Sequence, residues 1–335
     1  MLAIDQLVRD YGDPYEEARV CRRDCALFDF SFVHRARVSG KNALLGMESF
    51  QPRELRNMAI GQIRYSVKTD QQKRVRSDLT LWRVAADSLE VMSGCREDIE
   101  ELLSLAAAGF EVDDLSADTA IITIQGPNSL DELGRYMDTD ALRALQYFGF
   151  VDSQINGTPC VIGRLGYSGE QGFEILIDQS SKARLWDVLA EEIAPAGFAA
   201  LDILRIEAGF FLFTNECRIQ PSVTELGLSQ LLGLVNDIPE IRFTGFKAES
   251  DANPILWQPS TSCINRPAGS AIAVTSACYS PHLGSTIGLG FVAAGQAREP
   301  VIDPDNEFHS IELLATPVYD PDKRIPRLPW RPGAR

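Results

Sequence analysis

The sequence predicts an α+β protein with a β-rich C-terminal domain, and three observations support this fold class. Residues 63–84 alternate in polarity on either side of a polar tip, as the arms of a β-hairpin do. Helical and strand patterns elsewhere are mixed without the regular βαβ repeat of a parallel sheet. From about residue 245, short β-like runs separated by Gly, Pro and Asp indicate a compact antiparallel barrel or sandwich.

Strands and one surface helix are predicted in the first part of the chain. The hairpin carries Tyr65 on one arm and Asp78 on the other. Residues 95–109 place apolar side chains at helical spacing and end at a glycine, which predicts a surface helix. Residues 119–127 form a strand pattern that Gly-Pro terminates.

The pattern continues with two strands in residues 157–178, joined by a Gly-rich turn, and a helix in residues 181–197. Residues 200–213 are apolar at i, i+3 and i+4, which predicts a helix packed against a sheet. We expect one region of two interleaved subdomains over residues 1–245 and a separate C-terminal domain over residues 246–335.

Composition excludes several classes of function. The net charge of -15 argues against nucleic acid and anionic membranes as partners, because both require a basic face. Three widely spaced histidines and seven cysteines without CxxC spacing predict no metal site. The N-terminus lacks the pattern of a secretory signal, and no apolar run reaches 18 residues, so a cytoplasmic location is predicted.

Several local strings, in one order along the chain, carry a specific resemblance. They are ALFDFSF (26–32), SDLTLW (77–82), IQGP (124–127), RLGYSGEQGFEIL (164–176), LRIEAG (204–209), VTSACYSPHLGSTIGLGFV (274–292) and ATPVYDP (315–321). In this series the chain resembles the aminomethyltransferase (glycine cleavage T-protein) family. The resemblance implies a three-domain cloverleaf around a central tetrahydrofolate pocket, with a C-terminal antiparallel β-barrel.

Asp78 is the catalytic candidate that the resemblance implies, since it matches the family's acidic residue beside the reactive nitrogens of the folate. A fixed carboxylate there can orient the nucleophilic nitrogen and stabilise positive charge as the one-carbon unit arrives. The alternative is an exposed hairpin aspartate.

Glu174 and Tyr167 are candidates for the pterin end of the folate. Glu174 matches the family carboxylate that binds the pterin ring. The ring presents adjacent N–H groups, and a carboxylate can accept hydrogen bonds from two of them at once. It alternates with Phe173 and Ile175, so it does not share their face, and an exposed strand glutamate is equally compatible with the pattern. Tyr167 matches a pocket tyrosine, with core packing as its alternative.

Three further residues complete the cofactor-binding set implied by the resemblance. Arg205 matches a family arginine near the aminobenzoyl or glutamate portion of the folate, although an intrahelical ion pair would also explain it. Tyr65 and Trp82 stand where related proteins carry pocket aromatics, and both are also compatible with the hairpin core.

The chain departs from the family pattern next to the catalytic candidate. Ser77 replaces an acid, and Ser93 stands where an asparagine is expected. Phe32 replaces a histidine, and Leu201 replaces an arginine. A basic cluster at residues 73–76 either touches an anionic ligand or is a solvated turn.

Retained pterin candidates beside lost T-protein residues favour a tetrahydrofolate-dependent demethylase that acts on a small O-, N- or S-methyl donor and makes 5-methyl-tetrahydrofolate. The alternative is a true aminomethyltransferase, which takes its group from a lipoyl carrier protein and makes 5,10-methylene-tetrahydrofolate. A third hypothesis is a non-enzymatic folate-binding scaffold for iron–sulfur cluster assembly. The sequence disfavours it, because the neighbours of Cys217 do not match the string of those proteins.

Overall fold

The computed structural model describes residues 4–106, 109–233, 238–296, 301–305, 307–315 and 317–330. The chain divides into two compact units. The first comprises Met1–Lys68, Ser77–Phe198 and Lys323–Arg335, and the second comprises Thr69–Arg76 and Ala199–Asp322. Both combine helices with antiparallel sheets, which confirms the predicted α+β class.

The predicted elements occur in the predicted order, but the helices predicted over residues 181–197 and 200–213 end earlier, at Ala190 and Glu207. The helices are α1 (Pro14–Arg23), α2 (Ala43–Phe50), α3 (Arg96–Leu105), α4 (Ser129–Leu133), α5 (Asp140–Ala144), α6 (Lys182–Ala190), α7 (Phe198–Glu207), α8 (Phe213–Glu216) and α9 (Ser229–Leu232). The strands are β1 (Ala26–Asp29), β2 (His34–Ser39), β3 (Ile63–Thr69), β4 (Val75–Ala85), β5 (Ser88–Ser93), β6 (Glu111–Asp114), β7 (Thr119–Gln125), β8 (Phe150–Ile155), β9 (Thr158–Gly163), β10 (Gly172–Asp178), β11 (Ile241–Glu249), β12 (Ile272–Ser280), β13 (Ser285–Ala293) and β14 (His309–Leu314). Residues 107–108 of the first predicted helix and residue 316 of the last predicted β run lie outside the described residues.

One sheet of the first unit has the strand order β1-β7-β10-β9-β8. Its apolar face builds a core in which Phe173 and Ile175 are fully buried with Ile122 and Ile124. Glu174 lies between those two core residues in sequence, so its side chain projects from the opposite face. Its strand partners on that face are Thr123 and Gly163.

The second sheet of this unit has the order β3-β4-β5-β2-β6. Leu79 and Leu81 of β4 join the core on one face of this sheet. Burying a leucine contributes roughly 2 kcal/mol, so this core sets which way β4 faces. The even-numbered residues Asp78, Thr80 and Trp82 therefore project from the other face.

The face of one sheet that carries Glu174 and the face of the other that carries Asp78 meet at Trp82. Its ring lies 5.2 Å from that of Phe150 at the start of β8. It also packs on Gly163, where an added Cβ would lie 2.2 Å from the indole. A glycine is required there because any side chain would displace the tryptophan. The Phe150 amide donates to the Gly61 carbonyl at 2.9 Å, and the Ile63 amide donates to the Phe148 carbonyl at 2.7 Å, which joins the same edges.

The second unit contains one antiparallel sheet, with the order β12-β13-β11-β14. Phe246, Ile272 and Val292 lie in its core with little or no exposure. This sheet confirms the predicted antiparallel C-terminal architecture. Over the described residues, no helix is both long and apolar enough to cross a membrane.

Candidate functional site

Asp78 lies on β4 with part of its surface open to solvent. Burial nevertheless raises the pKa of its carboxyl group to about 7, and the nearby charge of Asp98 acts in the same direction. Hydrogen bonds from the Tyr65 side chain and from its own backbone amide oppose the shift. A carboxyl group that is surrounded by protein but still contacts water is typical of a pocket wall. A pKa of about 7 suits proton transfer near neutrality.

Tyr65 is the predicted site residue that the structure brings to Asp78 directly. It lies on β3, the neighbour of β4 in the sheet. The neighbouring Ser66 and Lys68 bond toward the α2 side, to Gln51 and to the Phe50 carbonyl. Tyr65 therefore projects toward the face that carries Asp78. Its hydroxyl hydrogen bond fixes the carboxylate of Asp78 in orientation.

Glu174 has an environment similar to that of Asp78, but its carboxylate has no hydrogen-bond partner in the part of the chain that the structure describes. It is half-buried on β10, and burial alone raises the pKa of its carboxyl group to about 7. Among the described residues, no hydrogen bond or ion pair to this carboxylate occurs. Desolvating a carboxylate without a partner is costly, and such a group is expected to be satisfied by a ligand.

Asp78 and Glu174 belong to facing surfaces within the first unit. Gly163 and Glu174 are directly paired across β9 and β10. The Glu174 side chain and the position that a Gly163 side chain would take therefore lie on the same face of the sheet. That face is the one on which Trp82 packs. Trp82 shares its own face with Asp78, and its indole N–H donates to the Thr80 hydroxyl at 3.0 Å. The carboxylates therefore project toward the same space between the two sheets.

Tyr147 is a candidate site residue that the sequence patterns do not indicate. It is half-buried, and burial raises the pKa of its phenol to about 12, while the charge of Glu174 adds to the shift. The guanidinium of Arg327 lies 5.2 Å from its ring centroid, within the range of a cation–π contact. The string that contains Tyr147 has no pattern of its own, so only the tertiary structure shows its proximity to Glu174.

Trp82 and Tyr167 occupy different positions at this site. Trp82 is fully buried between the sheets, in agreement with its alternative interpretation as a core residue. Tyr167 is half-buried on the turn between β9 and β10. Contact of either residue with a folate stays a prediction.

Arg205 lies in the second unit and is 1% exposed. Its Nε and Nη2 bond to Asp202 of the same helix, at 2.9 and 2.8 Å. The remaining donors reach Glu216 at 3.1 Å, Ser276 at 2.6 Å and the Phe210 carbonyl at 3.2 Å. The intrahelical ion pair is therefore present, and the five N–H groups already have acceptors. Direct contact with a folate stays a prediction, which this geometry does not favour.

The departures from the family pattern have local packing roles. Phe32 packs edge-on against Phe198 at 5.9 Å, and Leu201 is 2% exposed. In the basic cluster, Arg74 forms an ion pair with Glu225 at 3.3 Å, while Lys73 and Arg76 are exposed. The cluster therefore has the character of a solvated turn. No group of three or more metal-ligating side chains occurs within the described ranges.

Comparisons with known proteins agree with this arrangement. The GCVT N-terminal domain model matches residues 12–235, and the glycine cleavage T-protein C-terminal barrel domain model matches residues 242–320. An aminomethyltransferase of Thermotoga neapolitana is 26% identical over 300 residues, covering 84% of this chain and 82% of the relative. One from Cutibacterium acnes is 27% identical over 318 residues, covering 86% and 84%.

A solved structure shares the fold. The glycine cleavage system aminomethyltransferase T from Bartonella henselae superimposes with a TM-score of 0.70 at 21% identity, covering 86% of this chain and 83% of that one. The relatives' name favours aminomethyl transfer, the alternative in the sequence analysis, over demethylation. The predicted enzyme class and tetrahydrofolate cofactor are confirmed at the level of the family. With its two domain models matched over most of its length, the chain belongs to the glycine cleavage T-protein (aminomethyltransferase) family.

Proposed function

We propose that this chain transfers a one-carbon unit to tetrahydrofolate, with Glu174 binding the pterin edge and Asp78 beside the reacting nitrogens. The observation that carries this proposal is the unpartnered, desolvated carboxylate of Glu174, on a face shared with Gly163 and opposed to that of Asp78. An aminopyrimidinone edge supplies the paired N–H donors that this carboxylate lacks.

The protein's contribution is positioning and electrostatics. The reduced folate supplies a nucleophilic nitrogen when bound. Asp78, held by the Tyr65 hydroxyl, can accept a hydrogen bond from the ligand and offset positive charge on the arriving group. Its pKa of about 7 also lets its carboxyl oxygen hold or release a proton at working pH.

Aminomethyl transfer is the first candidate reaction, since the relatives carry that name. The donor would be an aminomethyl group on a lipoyl sulfur of a carrier protein. As its carbon bonds to the two folate nitrogens, the carbon–nitrogen bond would break to release ammonia and the carbon–sulfur bond to release the lipoyl thiol. Demethylation of a small methyl donor is the second candidate. It is favoured by Ser77 and Ser93, which stand beside Asp78 where the family pattern has an acid and an asparagine.

Reconstitution separates the two reactions. The protein is combined with tetrahydrofolate and the other glycine cleavage components, and in parallel with a panel of O-, N- and S-methyl compounds. Formation of 5,10-methylene-tetrahydrofolate with ammonia in the first mixture supports aminomethyl transfer. Formation of 5-methyl-tetrahydrofolate in the second supports demethylation. Absence of both products, together with no binding of tetrahydrofolate, would refute the proposal.

The remaining predicted contacts are proposed on different grounds. Tyr65 is supported by its bond to Asp78. Trp82 is proposed to set the spacing of the two faces, and Tyr167 to line the pterin end. For Arg205 we propose an indirect role, in which its buried ion pairs hold α7 against β12. The domain boundary near residue 245 is kept as a proposal.

A further inference from the structure

A buried carboxylate, Asp98, lies behind the strand that carries Asp78. Asp98 is in the first turn of α3 and is 1% exposed. Its Oδ2 atom accepts hydrogen bonds from the hydroxyls of Ser77 and Ser93, each at 2.6 Å. Ser77 and Ser93 are themselves 0% and 1% exposed, so water does not compete for these bonds.

These two serines are the positions at which the chain departs from the family pattern beside Asp78. They belong to neighbouring strands, β4 and β5, and their hydroxyls share one acceptor, the Oδ2 atom of Asp98. What the sequence presents as two separate substitutions is one hydrogen-bonded unit in the fold.

This unit is coupled to Asp78 through the backbone. Ser77 precedes Asp78 in β4, so the two side chains point to opposite faces of the sheet. Holding the Ser77 hydroxyl on the α3 side therefore directs Asp78 to the side of the site. The Ser93 hydroxyl oxygen lies 3.4 Å from the Asp78 carbonyl oxygen, and it accepts a hydrogen bond from the Cys95 amide at 3.1 Å.

Titratable groups near Asp98 come from β3 and from α3 itself. The titratable groups that act on Asp78 are Tyr65 from β3 and Asp98 from α3. Cys95 and Glu97 adjoin Asp98 at the start of the helix, and burial raises the pKa of the Cys95 thiol to about 12. Lys68 of β3 is engaged by Glu101 at 2.8 Å, farther along α3.

We propose that Asp98 is a positioning residue for the one-carbon transfer: through Ser77 and Ser93 it orients Asp78 toward the site, and it places a fixed negative charge behind that carboxylate. The reaction in this statement rests on the proposed function, whereas the coupling of Asp98 to Asp78 does not. Removing the negative charge favours the ionised form of Asp78, so the pKa of Asp78 should fall.

The coupling is tested without activity by carboxyl ¹³C NMR titration of the full chain, with Asp78 assigned by D78N. In D98N we expect the pKa of Asp78 to fall by about 1, the effect of a neighbouring unit charge in a partly polar surrounding. The control is D113N, which removes an exposed charge from the same sheet and should leave that pKa unchanged. An unchanged Asp78 titration in folded D98N would overturn the proposal.

Positioning is tested by S77A, which keeps the Asp98 charge, and by S77T, which keeps the hydroxyl. We expect S77A to lower kcat about tenfold with little change in the dissociation constant of tetrahydrofolate, and S77T to restore most of kcat. A kcat for S77A equal to that of the wild type would contradict the positioning role. If the wild-type chain transfers no one-carbon unit from any donor, the proposed function fails, and the NMR titration still decides the coupling.

Discussion

Two sets of charged side chains in this molecule differ in how far the protein supplies their hydrogen-bond partners. In the second unit, the guanidinium of Arg205 gives its donors to Asp202, Glu216, Ser276 and a carbonyl oxygen. In the first unit, Glu174 is desolvated with no partner among the described residues, and Asp78 has the Tyr65 hydroxyl and its own amide.

The difference separates a structural ion network from a ligand-binding one. A network whose donors and acceptors are matched needs no ligand and is costly to break. A carboxylate that is desolvated and unmatched lowers the stability of the free protein and gains partners on binding. On this comparison we propose that Asp78 and Glu174 serve ligand binding, whereas the matched ion pairs of Arg205 serve stability.

The largest effect is expected for R205M. Removing the guanidinium leaves Asp202 and Glu216 buried without their cation, which should lower the free energy of unfolding by about 3–5 kcal/mol. Urea unfolding measures this, with R19M as a control, since Arg19 forms an exposed pair with Glu16 and should change stability by less than about 0.5 kcal/mol. Unchanged stability combined with lost tetrahydrofolate binding would instead make Arg205 a direct ligand contact.

The second largest effect is expected for D78N, which should lower kcat. The amide cannot offset positive charge on the arriving group or take up a proton, so kcat should fall by about 10²–10³-fold. The dissociation constant of tetrahydrofolate should change by less than about threefold, since Glu174 supplies the directional pterin contact. Steady-state kinetics and calorimetry measure the two quantities, and full activity in D78N would exclude Asp78 from the chemistry.

E174Q should weaken tetrahydrofolate binding and stabilise the free protein. Losing a charge-assisted bidentate contact should raise the dissociation constant by about 10–100-fold. The pKa of Glu174 is raised to about 7 by folding, so its stabilising contribution is complete below the unfolded pKa and is lost as the pH rises through 7. E174Q should therefore be more stable than wild type by about 1–2 kcal/mol at pH 8, after allowance for solvent screening.

The same variant should show no advantage at pH 4, where the wild-type carboxyl is protonated in the folded state. Chemical denaturation at the two pH values gives this difference directly. E174Q less stable than wild type at pH 8 would mean that the carboxylate has a partner in the fold.

Y147F should have the smallest effect. The phenol lies near Glu174 under the Arg327 guanidinium, so removal of its hydroxyl should weaken ligand binding by about fivefold, or roughly 1 kcal/mol. The stability of the free protein should stay within about 0.5 kcal/mol of wild type. A change in stability without a change in binding would assign Tyr147 to the structural side of the comparison.

The sequence predicts the elements whose periodicity is strong, such as the hairpin, β10 and α3, but not α1 or α2. The alternation in residues 173–177 predicts that Glu174 lies on the face of the strand opposite to Phe173 and Ile175. The structure shows Phe173 and Ile175 in the core, without Glu174. The hairpin, with Tyr65 and Asp78 on adjacent strands, follows from the same period. Local patterns are thus sufficient where one face of an element is buried.

Tertiary partners could not be predicted in this way. The need for glycine at position 163 arises from Trp82 of another sheet, and Asp98 gains its role from serines on two different strands. The acceptors of Arg205 come from α8 and β12 as well as its own helix. Such contacts join distant segments, and no local spacing encodes them.

We propose that Glu174 and Asp78 bind one reduced pteridine in the space between the two sheets of the first unit. The decisive experiment is a crystal structure of the complex with tetrahydrofolate. We predict that the pterin amino edge lies within hydrogen-bond distance of both Glu174 carboxylate oxygens, with the reactive nitrogens on the side of Asp78. A pteridine bound elsewhere, with Glu174 still unpartnered, would contradict the account.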